Sequence, residues 1–148
     1  MLVRLLYASK AVDDVSQEGL LSILSQSKAH NPASGITGVL CSSGRIFLQL
    51  LEGGRTQVNA LYNHIAADPR HTDVVILSYE EISERKFAGW SMGLVKLERA
   101  NPSLLLKYSE SATLDPYAVS GKASMALFDE LMATASIMGH ADFAGCAR

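Results

Sequence analysis

Three observations predict an α+β fold. The strand-like and helix-like segments follow a β-α-β-β-α-β-β order, a tight hairpin sits toward the end of the first third, and 148 residues suit one domain. The economical arrangement is a ferredoxin-like sandwich: a five-stranded mixed sheet with two helices on one face, followed by two C-terminal helices. One crossover helix makes strand 2 parallel to strand 1, and the hairpin makes strand 3 antiparallel to both. Strands 1 and 3 are then neighbours in the middle of the sheet.

Leu2 to Ser9 is a short, nearly continuous apolar run, as expected of a central strand. Val3, Leu5 and Tyr7 lie on one face, and Tyr7 puts a phenol near the strand's end. Asp14 or Ser16 is expected to cap a helix reaching about Asn31, with Pro32 preventing its continuation. Leu20, Ile23, Leu24, Ser27 and Asn31 share one helical face, so the apolar stripe turns polar in its last turns. Taken alone, Asn31 could simply cap the carbonyl end of the helix.

The hairpin, residues 35–53, reads as two apolar strands around a Ser42-Ser43-Gly44 turn. Phe47, Gln49 and Leu51 share one face, and Ile46, Leu48 and Leu50 the other. Gln49 is the odd member. An amide in an apolar stripe has two donors and two acceptor sites, and each one left unpaired costs roughly 1–3 kcal/mol. Something polar has to meet it, whether backbone, a strand edge or another side chain.

A second helix is predicted from about Thr56 to Ala67, with Val58, Leu61, Tyr62 and Ile65 on its core face and His64 at the border. Asp68-Pro69 stops it, and Arg70-His71 follows, gathering cationic groups near one helix end. A solvated terminus favoured by the dipole explains this blandly, and a site for an anionic tail explains it more sharply. Val74 to Glu80 is the fourth strand and Leu94 to Leu97 the fifth. Trp90 and Met92 stand two apart and share a face if the chain there is regular strand. Leu104 to Tyr108 suggests a short helix, and about Ser120 to Met138 a longer one whose Met125, Leu127, Phe128, Leu131 and Met132 pack on a sheet face or a second subunit.

Composition narrows the class. A net charge of −2 offers no basic field for nucleic acid. Cys41 and Cys146 form no C-x-x-C pair and no zinc set, which suits a reducing, cytoplasmic protein. No apolar run approaches membrane-spanning length, and the N-terminus shows no signal-peptide pattern. No Ser/His/Asp or Cys/His set has credible spacing for catalysis. In the predicted sandwich, Tyr7 lies beside Gln49 beneath helices that supply Asn31 and His64, so four separately unremarkable residues converge on one crevice.

Over about residues 1–98 the chain resembles the BLUF family of flavin-binding blue-light sensors. The motifs are LLYAS in the first strand, HNP-x-x-x-ITGVL at the first helix end, F-x-Q-x-LEG, DPRH and W-x-M-G. Their order and spacing together carry the resemblance. It implies a flavin, usually FAD, with FMN or riboflavin able to substitute, held between the two helices above the sheet. It implies that Tyr7 is the photochemical electron donor and Gln49 the amide between it and the flavin. It also implies that Asn31 binds the ring and that His30 packs near it. Ser27, His64, Ile65, Asp68, Arg70 and His71 would line the ring or its ribityl-phosphate chain. Trp90 and Met92 match the fifth-strand switch pair. Position 64 is often arginine in the family, so His64 departs from the pattern.

The expectation is therefore a short, stand-alone blue-light receptor rather than an enzyme. Residues 1–98 form the flavin-binding domain, and residues 99–148 a helical extension for capping, oligomerisation or output. Light would drive electron and proton transfer from Tyr7 and a rearrangement of Gln49. With no room for an appended effector, output would pass through strand 5 and the C-terminal helices to an unidentified signalling partner or a homo-oligomer, with no role for nucleic acid, membrane or metal. The leading alternative is a ferredoxin-like small-molecule or regulatory module without flavin. An acyl-phosphate hydrolase is a weaker one, because Ala8 to Asp14 supplies neither glycine nor arginine for a phosphate loop.

Overall fold

The computed structural model describes residues 1–133, apart from the side chains of residues 25–33 and of Arg99. The elements are β1 (Leu2–Ala11), α1 (Asp14–Ser34), β2 (Thr37–Ser43), β3 (Ile46–Gly54), α2 (Arg55–Ala66), β4 (His71–Ile82), β5 (Gly93–Lys96), α3 (Pro102–Tyr108) and α4 (Gly121–Ala133). The expected βαββαββ order with two further helices is present. The sheet order is β4-β1-β3-β2-β5, with β1 and β3 antiparallel in the interior and β5 parallel to β2 at one edge. This is the mixed five-stranded, ferredoxin-like sheet.

Alternation along β1 and β3 divides the interior into two cores. Val3, Leu5, Tyr7, Phe47 and Leu51 face Leu20 and Leu24 of α1 and Val58 and Ile65 of α2. Leu6, Ala8, Leu48 and Leu50 face the other way, onto Leu105 of α3 and Leu127, Phe128 and Leu131 of α4. The C-terminal helices therefore cover the sheet face opposite α1 and α2, giving three layers. The predicted extension of α4 toward Met138 lies outside the described residues.

Local signals explain where the boundaries differ from expectation. The α1 cap is Asp13, not Asp14 or Ser16: its carboxylate accepts the Ser16 backbone N–H at 2.7 Å. That helix also continues past Pro32 to Ser34. Proline's fixed φ is helical, so the helix can run through it, at the cost of the hydrogen bond its N–H would have made to the carbonyl four residues earlier. Termination falls instead on Gly35, whose φ of 73° is the left-handed conformation of a helix stop. The hairpin turns at Gly44-Arg45 rather than Ser42-Ser43-Gly44, because Gly44 alone takes a positive φ (56°), as the first loop residue of a II′ turn requires.

At the sheet edges, β4 begins three residues early because the Val12 N–H donates to Arg70 O and aligns His71 with Ala11. On the other edge β5 begins only at Gly93, so Trp90 and Met92 are not in strand. Phe87 to Met92 folds as a turn followed by bends, with Trp90 N–H donating to Phe87 O and Trp90 O accepting from Gly38 N–H. The period of two does not apply to that backbone, and the expectation of a shared face fails. Trp90 joins the α3/α4-side core and Met92 the α1/α2-side core.

Phe128 is fully buried, with its ring edge-on to Phe87 at 6.4 Å between centroids. Phe128→Ala should lower the unfolding free energy by about 3–5 kcal/mol through lost burial and an unfilled cavity. Chemical denaturation of the full chain checks this, and a loss below about 1 kcal/mol would mean that α4 does not pack as described.

Candidate functional site

The register of β1 and β3 sets Tyr7 directly opposite Gln49, both fully buried. The Tyr7 hydroxyl donates to Gln49 Oε1. At the other end of the amide, Gln49 Nε2 donates to Met92 Sδ at 3.5 Å, a soft, weak acceptor. The polar partner that the buried amide required is thus a phenol on one side and a thioether on the other. Tyr62 of α2 places its ring 5.5 Å from that of Tyr7. Burial, with a smaller contribution from Tyr62, raises the Tyr7 phenol above its ordinary range. It stays protonated, so the proton in this pair belongs to Tyr7 and the amide oxygen receives it as a hydrogen bond.

Other predicted site residues fall around this pair. Ile65 is buried in the same core, and its carbonyl receives both the Asp68 N–H and His71 Nε2, the latter at 2.7 Å. His71 therefore turns inward toward α2 rather than joining a surface cationic cluster. Arg70 is held by Asp68, which accepts its backbone N–H and its Nε, each at 2.9 Å. Its guanidinium also reaches α1, where a Cβ on Gly19 would stand 3.3 Å from Nη1. His64 is exposed on α2. The Ser27, His30 and Asn31 side chains lie outside the described residues. Trp90 is on the far side of the sheet from Gln49.

Two buried polar atoms on the α1/α2 side have no hydrogen-bond partner among the described residues: His71 Nδ1 and Ser9 Oγ. Such atoms are costly to leave unpaired, and a ligand with polar edges would satisfy them. The carbonyls, ring nitrogens and hydroxylated chain of a flavin offer donors and acceptors of the kind these atoms lack, so the chemistry of the residues present suits a flavin. Ser9 was missed from sequence. Its signal was its place two residues beyond Tyr7, hence on the same strand face.

Residues 2–93 match the family described as BLUF, sensors of blue-light using FAD. The chain belongs to the BLUF family. It is 36% identical over 97 residues to the blue light- and temperature-regulated antirepressor BluF of Escherichia coli (strain K12), a match covering 66% of this chain and 24% of that protein. The chain thus spans about a quarter of that curated relative. Among solved structures it is similar to BlsA in its photo-activated state, with a TM-score of 0.76 and 32% identity over 88% of this chain and 94% of that one. It also resembles Klebsiella pneumoniae BlrP1 with FMN and cyclic diGMP, with a TM-score of 0.64 and 33% identity over 70% of this chain and 28% of that one.

The BLUF region of this chain is accordingly a flavin-binding blue-light sensor and is itself non-enzymatic, and the flavin-free alternative is not favoured. Among the described residues, no helix is long and apolar enough to cross a membrane.

Hydrogen bonds from Arg70 hold the Asp68 carboxyl at about 2, below its ordinary 3.8. A depressed acid contributes stability that is complete above the unfolded value and is lost as pH falls through the folded one. Asp68→Asn should therefore reduce stability at neutral pH and flatten the decline between about pH 4 and about pH 2. Denaturation midpoints measured across that window check the sign, and an unchanged acid slope would count against the Asp68–Arg70 pairing.

Proposed function

We propose that this chain is a blue-light receptor that holds FAD non-covalently on the α1/α2 face. In this reading Tyr7 and Gln49 are its photochemical pair, and Met92 is the resting partner of the Gln49 amide. The observation that carries the reading is the buried chain Tyr7–Gln49–Met92. It joins a donor, an amide with two unlike ends and a weak acceptor on the face where Ser9 and His71 have atoms without a partner among the described residues.

When bound, the flavin supplies an excited state oxidising enough to accept an electron from a phenol. Tyr7 would be the donor of that electron and of its hydroxyl proton, which would pass to Gln49 Oε1. Both would return to Tyr7 as the amide changes which end faces the ring, by rotation or tautomerisation, so that no net oxidation remains. Met92 is a weak enough partner to release the amide when this happens. Ser27, His30 and Asn31 are assigned to holding the ring. His64, Ile65, Asp68, Arg70 and His71 are assigned to its border and the ribityl-phosphate chain, with Asp68 fixing the Arg70 guanidinium. Most recognition lies in the ring, so FMN or riboflavin can substitute for FAD. BlrP1, which carries FMN in its solved structure, supports that tolerance.

In the same proposal residues 1–98 sense, and residues 99–148 are the extension that passes the signal, through β5 and the C-terminal helices, to a downstream protein. The chain has no enzymatic activity of its own and acts in the cytoplasm. Trp90, beneath α3 and α4, belongs to the output side of this scheme rather than beside the amide.

Blue light should give a small, reversible red shift of the flavin band. Tyr7→Phe and Gln49→Leu should each retain flavin and lose that shift or show it strongly reduced, and acid release followed by chromatography of the same samples should yield mainly FAD. If both variants hold flavin and switch like the parent, the mechanism is wrong.

Homo-oligomer formation belongs to the same proposal. The apolar face of α4 is occupied by the sheet, so support comes instead from edge strand β4, where Val75, Ile76 and Tyr79 are 42%, 47% and 41% exposed. Light scattering on the full chain should give a mass above that of one copy, and a monomer in both dark and light would remove this part of the proposal.

A further inference from the structure

Glu52 is the one buried carboxylate among the described residues, and it is fully enclosed. It lies three residues after Gln49 on β3 and so projects from the opposite face of the strand. Both of its oxygens accept hydrogen bonds. Oε2 accepts from Arg4 Nε at 2.7 Å and from the Lys86 backbone N–H at 3.1 Å, and Oε1 accepts from the Phe87 backbone N–H at 2.8 Å. A buried charge is tolerable only when paired and hydrogen-bonded, and here two of the three donors are backbone groups of the connection between β4 and β5.

That connection joins both sides of the sheet. Past Phe87 it delivers Trp90, whose carbonyl is fixed by Gly38 N–H, and then Met92, which meets Gln49. On the other side Phe87 packs edge-on against Phe128 of α4, and Lys86 Nζ lies 3.2 Å from an Asp129 oxygen. The segment is tied to β2 by the Gly38 bond and, ahead of the two amides that Glu52 holds, by Arg85, whose Nη1 donates to Thr37 Oγ1 at 3.1 Å.

We infer that Glu52 is a positioning residue for the photochemical pair. Its carboxylate grips the Lys86 and Phe87 amides, and this sets the reach of the connection that presses Met92 against Gln49. Glu52 touches neither Tyr7 nor Gln49 and acts through the backbone between Phe87 and Met92. The same grip anchors Phe87 under α4, so one carboxylate on β3 registers the switch partner and the helical cap together. This inference rests on the assignment of Tyr7, Gln49 and Met92 in the proposed function.

Glu52→Gln keeps the side chain's size but turns one acceptor into a donor, which then faces either Arg4 and the Lys86 amide or the Phe87 amide. Glu80→Gln is the control, because Glu80 is the exposed partner of Arg4 and makes no bond to the connection among those described. With Met92 loosened, the resting amide orientation loses its partner and is regained more slowly. Glu52→Gln loaded with flavin to the parent's stoichiometry should recover in the dark at least about threefold more slowly, while Glu80→Gln recovers like the parent. Amide exchange in the unaltered protein supplies a readout that needs no variant: the Phe87 N–H should exchange as slowly as the interior amides of β3. Recovery at the parent rate in fully loaded Glu52→Gln overturns the inference, and so does rapid exchange at Phe87, even if Glu52→Gln does not fold. A parent protein that binds flavin but shows no red shift would instead sink the proposed function and leave the Phe87 exchange result standing by itself.

Discussion

The structure depends on the antiparallel pairing of β1 with β3. These two strands occupy the interior of the sheet, and their residues are apolar on both faces, so both faces must be covered. The pairing also fixes a register in which Tyr7 stands opposite Gln49. A slip of β3 by one residue would turn Gln49 away from Tyr7, toward α3 and α4, and put Leu48 or Leu50 in its place. The cost would fall on every apolar side chain of the strand at once. A photochemical contact made by two polar groups is thus held by hydrophobic alternation along whole strands, a far stiffer restraint than one hydrogen bond could provide.

Polar groups in the interior are few, and most are placed where elements must be tied to one another. Arg4 and Glu52 join β1, β3 and the β4–β5 connection. His71 ties the start of β4 to the last turn of α2 through Ile65 O. Each pairing is satisfied by its neighbours in a setting where an unpaired group is expensive, which gives these contacts geometric specificity beyond their modest net stabilisation. Among the described residues Ser9 Oγ and His71 Nδ1 lack a partner on the α1/α2 side, as Ser124 Oγ does on the other.

The two faces of the sheet serve different ends. The α1/α2 side gathers phenol, amide and thioether, whereas the α3/α4 side is mainly apolar and aromatic apart from the Arg4–Glu52 pair. The connection between β4 and β5 is the segment that belongs to both, since Phe87 and Trp90 pack on one side and Met92 on the other. A displacement of Met92 would therefore be felt by α4 through a short stretch of covalent backbone, without any need for rearrangement across the closely packed central strands.

The sequence alone determined the strand and helix order, the mixed sheet and the shared face of Tyr7 and Gln49, because these follow from regular periods of 2 and 3.6 and from the crossover and hairpin rules. It also carried the family motifs, whose spacing is a property of the chain. Tertiary structure decided what periodicity cannot reach. Trp90 and Met92 lie in a bent segment where no period applies, so their separation onto opposite faces depends on the bonds from Gly38 and Glu52, 52 and 38 residues upstream of Trp90 and 34 or 35 upstream of Lys86 and Phe87. The end of α1 was set by the backbone conformation of Gly35 rather than by the more conspicuous Pro32. The inward turn of His71 came from a carbonyl on α2, and the place of α3 and α4 from an apolar sheet face that the first two helices leave open. In each case the deciding partner is distant in sequence or is a backbone atom, and neither leaves a local pattern to read.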